Sequence, residues 1–207
     1  MKTNFWIFSI ISAVIILGIN QIGNAESSVN FLKATNNNTM KFSILFPSNW
    51  QLSENFEDSE ILGNRVSFKP PDSNTSTFII NAKKVERYLD TDTMTLKNTS
   101  LQQHVQQELN KFQELNKTRE LNKAPLASAI GDFDFNIIRQ NAVTIGGNTG
   151  WKIELKYSWH DNPYYGFRIH TIANGKMYTL EYQDDALKVP ERLPLINKMV
   201  ESFQFIR

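Results

Sequence analysis

The chain has 207 residues, with 22 Lys and Arg against 21 Asp and Glu, a formal charge of +1 and no cysteine. That length holds one domain and a tail. Balanced charge excludes a nucleic-acid binder that works by neutralising phosphates, since each one needs a surplus cation, and the missing cysteines exclude disulfides, thiolate zinc sites, iron–sulfur clusters and cysteine nucleophiles.

Residues 1–25 read as a signal peptide: Lys2 is a positive start, Phe5 to Ile19 is almost wholly apolar, and Gly23-Asn24-Ala25 places small residues before a cut. Cleavage is expected ahead of Glu26. The competing reading is a retained anchor, but the apolar run stops at Asn20, short of the ~20 residues of a spanning helix, and no basic stop-transfer cluster follows. Without a cysteine near its end, the leader cannot carry a lipoprotein anchor. Removing it takes Lys2 and no acid, which leaves the two signs balanced and argues against a polybasic membrane-surface role. The expected location is secreted or extracytoplasmic, tethered only if the leader is kept. Sequons at Asn37, Asn74, Asn98 and Asn116 are candidate glycosylation sites that fit export. In a chain this rich in Asn, Ser and Thr they support location alone.

Residues 26–39 are polar and Asn-rich and read as a flexible arm, so the domain is expected to span 40–207. Phe42, Ile44 and Phe46 alternate as a half-buried strand that Pro47-Ser48-Asn49 stops, and Trp50 is expected to plug one end of the core. Strands follow at Arg65 to Phe68 and Thr77 to Val85. From Ser100 the period becomes helical, with Leu101, Val105, Leu109 and Phe112 on one face and a Ser100/Gln103 capping box. Asn116 to Ser128 is a polar connection. Asn136 to Ile145 reads as a strand turning at Gly146-Gly147-Asn148 into Trp151, Ile153, Leu155, Tyr157 and Trp159, which alternate with polar residues. His160 to Pro163 is the next turn, leading to Tyr165, Phe167, Ile169 and Thr171; Asn174-Gly175 then returns the chain through Met177 to Tyr182. Leu195, Ile196, Met199, Val200 and Phe203 form a closing helical stripe that must pack on the sheet. Strands in hairpin order with two helices predict an α+β domain around a twisted antiparallel sheet.

The chemistry-bearing residues do not converge. Aligning apolar with apolar residues pairs Trp159 with Tyr165, which sets Glu154 opposite His170 and leaves His160 in the loop, too distant for a shared metal. His104 reads as a solvated residue of a helix face. The acidic pairs Asp90/Asp92, Asp132/Asp134 and Asp184/Asp185 lack calcium-loop spacing and read as turn chemistry and solvation. Gly146-Gly147-Asn148-Thr149-Gly150 lacks the Lys-Ser/Thr of a P-loop and joins strand to strand. No serine elbow is present. The feature with functional weight is the aromatic crowding of one meander: Trp151, Tyr157, Trp159, Tyr164, Tyr165, Phe167, Tyr178 and Tyr182. That is more than one core face needs, so a docking surface or ligand groove is expected, against the plainer reading that helices bury them all.

The order of Phe46-Pro47-Ser48-Asn49-Trp50, Val66 to Pro70, Thr144 to Asn148 before Trp151 to Tyr157, Lys176 to Tyr182, and Leu193-Pro194 to Phe203 resembles the PsbP-like family, named for an extrinsic protein of the photosystem II oxygen-evolving complex. The likeness spans about Met40 to Phe205. It implies a Mog1/PsbP-like α/β/α sandwich with a central antiparallel sheet, and a non-enzymatic exported protein without cofactor that docks on a membrane complex. The leader and sequons look more like the secreted archaeal members than the photosynthetic ones. Gly150 stands where relatives often carry Ala, and no metal or partner residue carries over. The expected function is thus a monomeric accessory or interaction protein at the outer face of the membrane, with an unidentified membrane or surface protein as partner and no nucleic acid. The alternative is a carrier of a small ligand or metal ion (calcium or manganese), with weak divalent-cation binding through residues such as Asp132 and Asp134.

Overall fold

The computed structural model describes residues 29–36, 38–56, 64–73, 75–84, 133–159 and 162–206, together with Leu101, Gln103, Val105, Gln106, Gln107, Leu109, Asn110 and Glu114. The leader, the four sequon asparagines, His104, His160, Asp90, Asp92, Asp132, Ser100 and Phe112 lie outside these residues. Two sheets are present. The smaller runs β1-β2-β10, from β1 (Phe31–Asn36), β2 (Phe42–Pro47) and β10 (Gln204–Phe205). The larger is antiparallel throughout in the order β3-β4-β5-β9-β8-β7-β6, from β3 (Gln51–Phe56), β4 (Asn64–Lys69), β5 (Thr77–Lys84), β6 (Phe133–Ile145), β7 (Asn148–Trp159), β8 (Asn162–Ala173) and β9 (Lys176–Asp185). The described residues between Leu101 and Asn110 are helical, as is Glu114, and a C-terminal helix covers Val189–Ser202.

Turn chemistry explains the hairpin order. Gly146 and Gly147 both take positive φ (55° and 85°), as do Asn174 and Gly175 (51° and 69°), the geometry whose twist matches two flanking strands. Pro190 sits at the start of the C-terminal helix, where its missing N–H has no helical partner to lose. Alternation then assigns faces. Phe78, Ile80 and Ala82 of β5, Phe167 and Ile169 of β8, and Tyr178, Leu180 and Tyr182 of β9 are buried on one side of the large sheet. There they meet Phe42, Ile44 and Phe46 of β2 and Ile196 and Met199 of the helix. Trp50 is buried in this same core, as expected. On the opposite side, Ile153 and Leu155 of β7 pack with Val105 and Leu109, flanked by Ile137, Trp151 and Tyr157. The result is an α+β molecule layered as helix, large sheet, and small sheet with the C-terminal helix.

Two expectations need correction. The stretch read as an arm carries β1, which pairs with β2 from Phe31↔Pro47 to Asn36↔Phe42, so the domain begins by Phe31. Asparagine there does turn chemistry: the Asn36 side chain accepts from the backbone N–H of Thr39 (3.1 Å) and of Met40 (2.8 Å). The hairpin register also differs. Trp159 pairs with Asn162, Glu154 with Phe167 and Trp151 with His170. The expected register was displaced by three residues, and an odd displacement sends each side chain to the other face. Matching apolar with apolar residues fails here because both faces are covered: β7 buries its apolar set against the 101–110 helix and β8 buries its own against the small sheet and the C-terminal helix.

Candidate functional site

The meander aromatics are divided by the sheet that carries them. Tyr178 and Tyr182, at 0% and 1% exposure, are core residues and cannot form a docking surface, which corrects their inclusion in one. The Tyr178 hydroxyl donates to the Met40 carbonyl and pins the β1–β2 turn to β9. The Tyr182 hydroxyl donates to Asp184 Oδ2 at 2.9 Å; burial, then the Asp184 charge, raises its pKa well above the ordinary phenol value. Tyr165, on the same face, packs half-buried at the margin of this core against Tyr182, its pKa pushed up to about 12 by burial and by Glu154. Trp151 and Tyr157 face the other way, half-buried beside the smaller cluster. For Trp159 the structure gives a backbone position alone, at the end of β7 in register with Asn162.

One aromatic pair is stacked and half-buried. Tyr157 and Tyr164 are directly opposite on β7 and β8, near the β7–β8 turn, with rings stacked at 5.2 Å and 12°. Opposed side chains on adjacent strands come this close only when the register puts them on one face. The Tyr157 hydroxyl donates to Gln183 Oε1 at 3.2 Å, and burial, then the Glu181 charge, pushes its pKa up to about 12. Beside the pair, on the same face, Arg168 donates to Glu181 at 3.1 Å and Thr179 meets His170 Nδ1 at 3.3 Å. This polar strip runs across β8 and β9. The expected contact of Glu154 with His170 is absent because the two residues are on opposite faces; Glu154 accepts from Lys152 at 2.8 Å instead.

Asp184 also departs from expectation. The sequence pairs it with Asp185 as solvated turn chemistry, and Asp185 does serve that way, accepting from the Leu187 N–H at 2.9 Å. Asp184 is fully buried. One guanidinium nitrogen of Arg192 donates to both its oxygens, at 2.9 and 3.0 Å, Ser76 donates to Oδ1, and the other Arg192 nitrogen reaches Asp72 at 2.7 Å. Burial opposes the charge on Arg192, but its bonds to Asp184 and Asp72 outweigh that and raise its pKa, while the bond from Arg192 lowers that of Asp72. Every partner is another part of the fold, so the cluster is a clamp joining the β4–β5 turn, β9 and the C-terminal helix. Nothing in the sequence marks Arg192 as its centre: it precedes the apolar stripe that begins at Leu195. Among the described residues, no three His, Asp or Glu side chains come together as a metal site. The glycine loop is the β6–β7 turn, as expected.

The PsbP family model matches residues 31–205. The solution structure of cyanobacterial PsbP (CyanoP) from Synechocystis sp. PCC 6803 superposes with a TM-score of 0.56 at 13% identity, covering 90% of this chain and 98% of that one. LpqN of Mycobacterium tuberculosis, a protein involved in cell envelope biogenesis, aligns with a TM-score of 0.45 at 13% identity, over 80% of this chain and 83% of that one. No curated protein matches the chain in sequence.

Proposed function

The chain belongs to the PsbP family, and we propose that it is an extracytoplasmic accessory protein at the outer face of a membrane that docks to a protein partner and performs no chemistry of its own. The observation that carries this reading is the Tyr157–Tyr164 stack, held rigid by its register yet left partly open to solvent. Preordered rings of this kind give contact area at low entropic cost, because the ordering is done before the partner arrives. The apolar leader of residues 1–25 supports export. The buried charges support a binding role over a reactive one, since Arg192 and Asp184 are engaged with each other.

Recovery of partners from native membranes tests the reading. Tyr164→Ser is expected to lose the partner, and Tyr164→Phe, which keeps the stacking ring, to retain it. Equal recovery by the wild type and the serine variant would remove this surface from consideration. Intact mass of the native protein reports separately whether the leader is cut and whether Asn37, Asn74, Asn98 or Asn116 carries a glycan.

A further inference from the structure

β6 forms one margin of the large sheet, and among the described residues no strand pairs with its outer side. A margin strand presents a row of N–H and C=O groups that can template another strand, and folded chains blunt it with short length, lysine, proline, a bulge or a cover. The opposite margin, β3, is 6 residues long and carries the exposed Glu54. β6 is 13 residues long and contains neither lysine nor proline. Its bulge falls at Ile138, where the register steps from Ile137↔Leu155 to Arg139↔Glu154. Beyond it the pairing is regular as far as Ile145, and Arg139, Gln140, Ala142 and Thr144 are exposed. This stretch of the edge is open.

The two faces beside it differ in chemistry. The bulge puts Arg139 on the face of Glu154, which Lys152 and Lys156 share by alternation. Lys152 is held by Glu154 at 2.8 Å, and among the described residues no acid pairs with the exposed Arg139 or Lys156. That face is cationic. On the other face the small, exposed Ala142 is in register with the half-buried Trp151, and Ile138 at the bulge is 47% exposed.

We propose that β6 is a docking edge for an extended acidic segment of a partner protein, added as an outer strand of the large sheet. Its carboxylates stand on the side of Arg139 and Lys156, and its alternate apolar residues on the side of Ala142 and Trp151. Main-chain bonds supply the affinity in such an addition, and alternate side chains supply the specificity. A second copy of this chain is the poorer occupant. Antiparallel pairing of β6 with itself about a two-fold axis keeps each face on its own side, so the Arg139 and Lys156 surfaces would meet, like charge against like. An acidic strand meets them with the opposite sign. This edge is a second surface beyond the Tyr157–Tyr164 pair, and the two stand or fall separately.

Fluorescein-labelled short peptides of alternating valine and glutamate, or valine and lysine, probe the edge by anisotropy with the full chain. The glutamate peptide is expected to bind saturably and more weakly as salt is raised, and the lysine peptide not to bind. Replacing both exposed cations, Arg139→Gln with Lys156→Gln, is expected to weaken binding severalfold. Backbone N-methylation of the peptide at one alternate set of residues is expected to abolish binding and at the other set to spare it, because only one set faces the edge. Hydrogen exchange should show protection gained by the amides of β6. No saturable binding, equal binding of the two peptides, indifference to both methylation patterns, or protection confined to other strands overturns the proposal. Dimerisation of the chain alone that protects the same amides assigns the edge to a second copy and overturns it as well. Such a failure, combined with partner loss in Tyr164→Ser, would leave docking at the tyrosine pair standing and remove the strand addition alone.

Discussion

Within the large sheet, β7 buries the face opposite to the one that β5, β9 and β8 bury. Across β5, β9 and β8 the interior is on the side of the small sheet, filled by Phe78, Ile80, Phe167, Ile169, Tyr178, Leu180 and Tyr182. In β7 the apolar residues are on the other side, where Ile153 and Leu155 meet Val105 and Leu109. Between them the uncovered aspects are polar: Lys152 and Glu154 on one face, Arg168 and Glu181 on the other. A continuous hydrogen-bonded ladder thus does not require a continuous core. What covers each strand decides which of its two residue sets is apolar, and the change of side occurs between β7 and β8.

The contrast in packing sets the largest expected effect. Phe167→Ala empties a fully buried site in contact with Tyr182 and is expected to cost about 3–5 kcal/mol. Leu109→Ala, in the smaller cluster, is expected to cost about 2–3 kcal/mol, the lower end of the range for such truncations. Urea unfolding followed by circular dichroism measures both. Equal losses would mean that the two clusters are one cooperative core, and a second transition in Leu109→Ala alone would mean that they unfold separately.

The same contrast marks where sequence reasoning succeeds. Phe42, Ile44 and Phe46, the glycine and Asn-Gly turns, and the stripe Ile196, Met199 and Phe203 were legible because period and turn chemistry are local. The face of β8 was not, because alternation reports that a strand has an apolar side without reporting what lies over it. β1 was missed for a related reason: Asn36 and its neighbours look like a loose linker until the Asx turn they form is seen. Of the candidate site, the aromatic crowding was visible, but its division into buried Tyr178 and Tyr182 and half-buried Tyr157 and Tyr164 needed the register. The Arg192 clamp joins residues 72, 76, 184 and 192 through tertiary contact, and no local pattern announces it.

That clamp gives the next effect. Arg192→Met leaves the Asp184 carboxylate buried and without its cation, at an expected cost of about 3–5 kcal/mol. Adding Asp184→Asn removes the stranded charge and is expected to recover much of the loss. A double variant no more stable than the single one would show that the clamp works by shape and not by charge. The alkaline limb is smaller. Tyr157 and Tyr165 hold their protons up to about pH 12 in the folded chain, against an ordinary value near 10. Their contribution is therefore complete below about pH 10 and is lost as pH rises toward 12. Thermal melts between these limits should fall in step with phenolate absorbance. Tyr157→Phe should flatten part of that slope, and an unchanged slope would place the raised value on other tyrosines.

The smallest effect probes the joint between the far margin of the sheet and the C-terminal strand. At Gly146 a methyl group would stand 2.7 Å from the Phe205 ring, on a residue whose φ is +55°. Either feature alone is tolerable, since a ring can shift and a left-handed residue costs little more than about 1 kcal/mol. Together they oppose each other's relief, because the turn cannot relax without moving the strands it joins. Phe205 in turn packs edge-on against Tyr178 at 4.9 Å and Phe203 at 5.0 Å. Gly146→Ala is expected to lose about 1–2 kcal/mol. Gly147→Ala also has a positive φ but meets no atom within 4 Å, so it is expected to lose about 1 kcal/mol. The difference between the two melting curves isolates the contact with Phe205. If Phe205→Leu in the Gly146→Ala background restores nothing, the loss comes from backbone strain in the turn and the β6–β7 hairpin is not braced by the C-terminus.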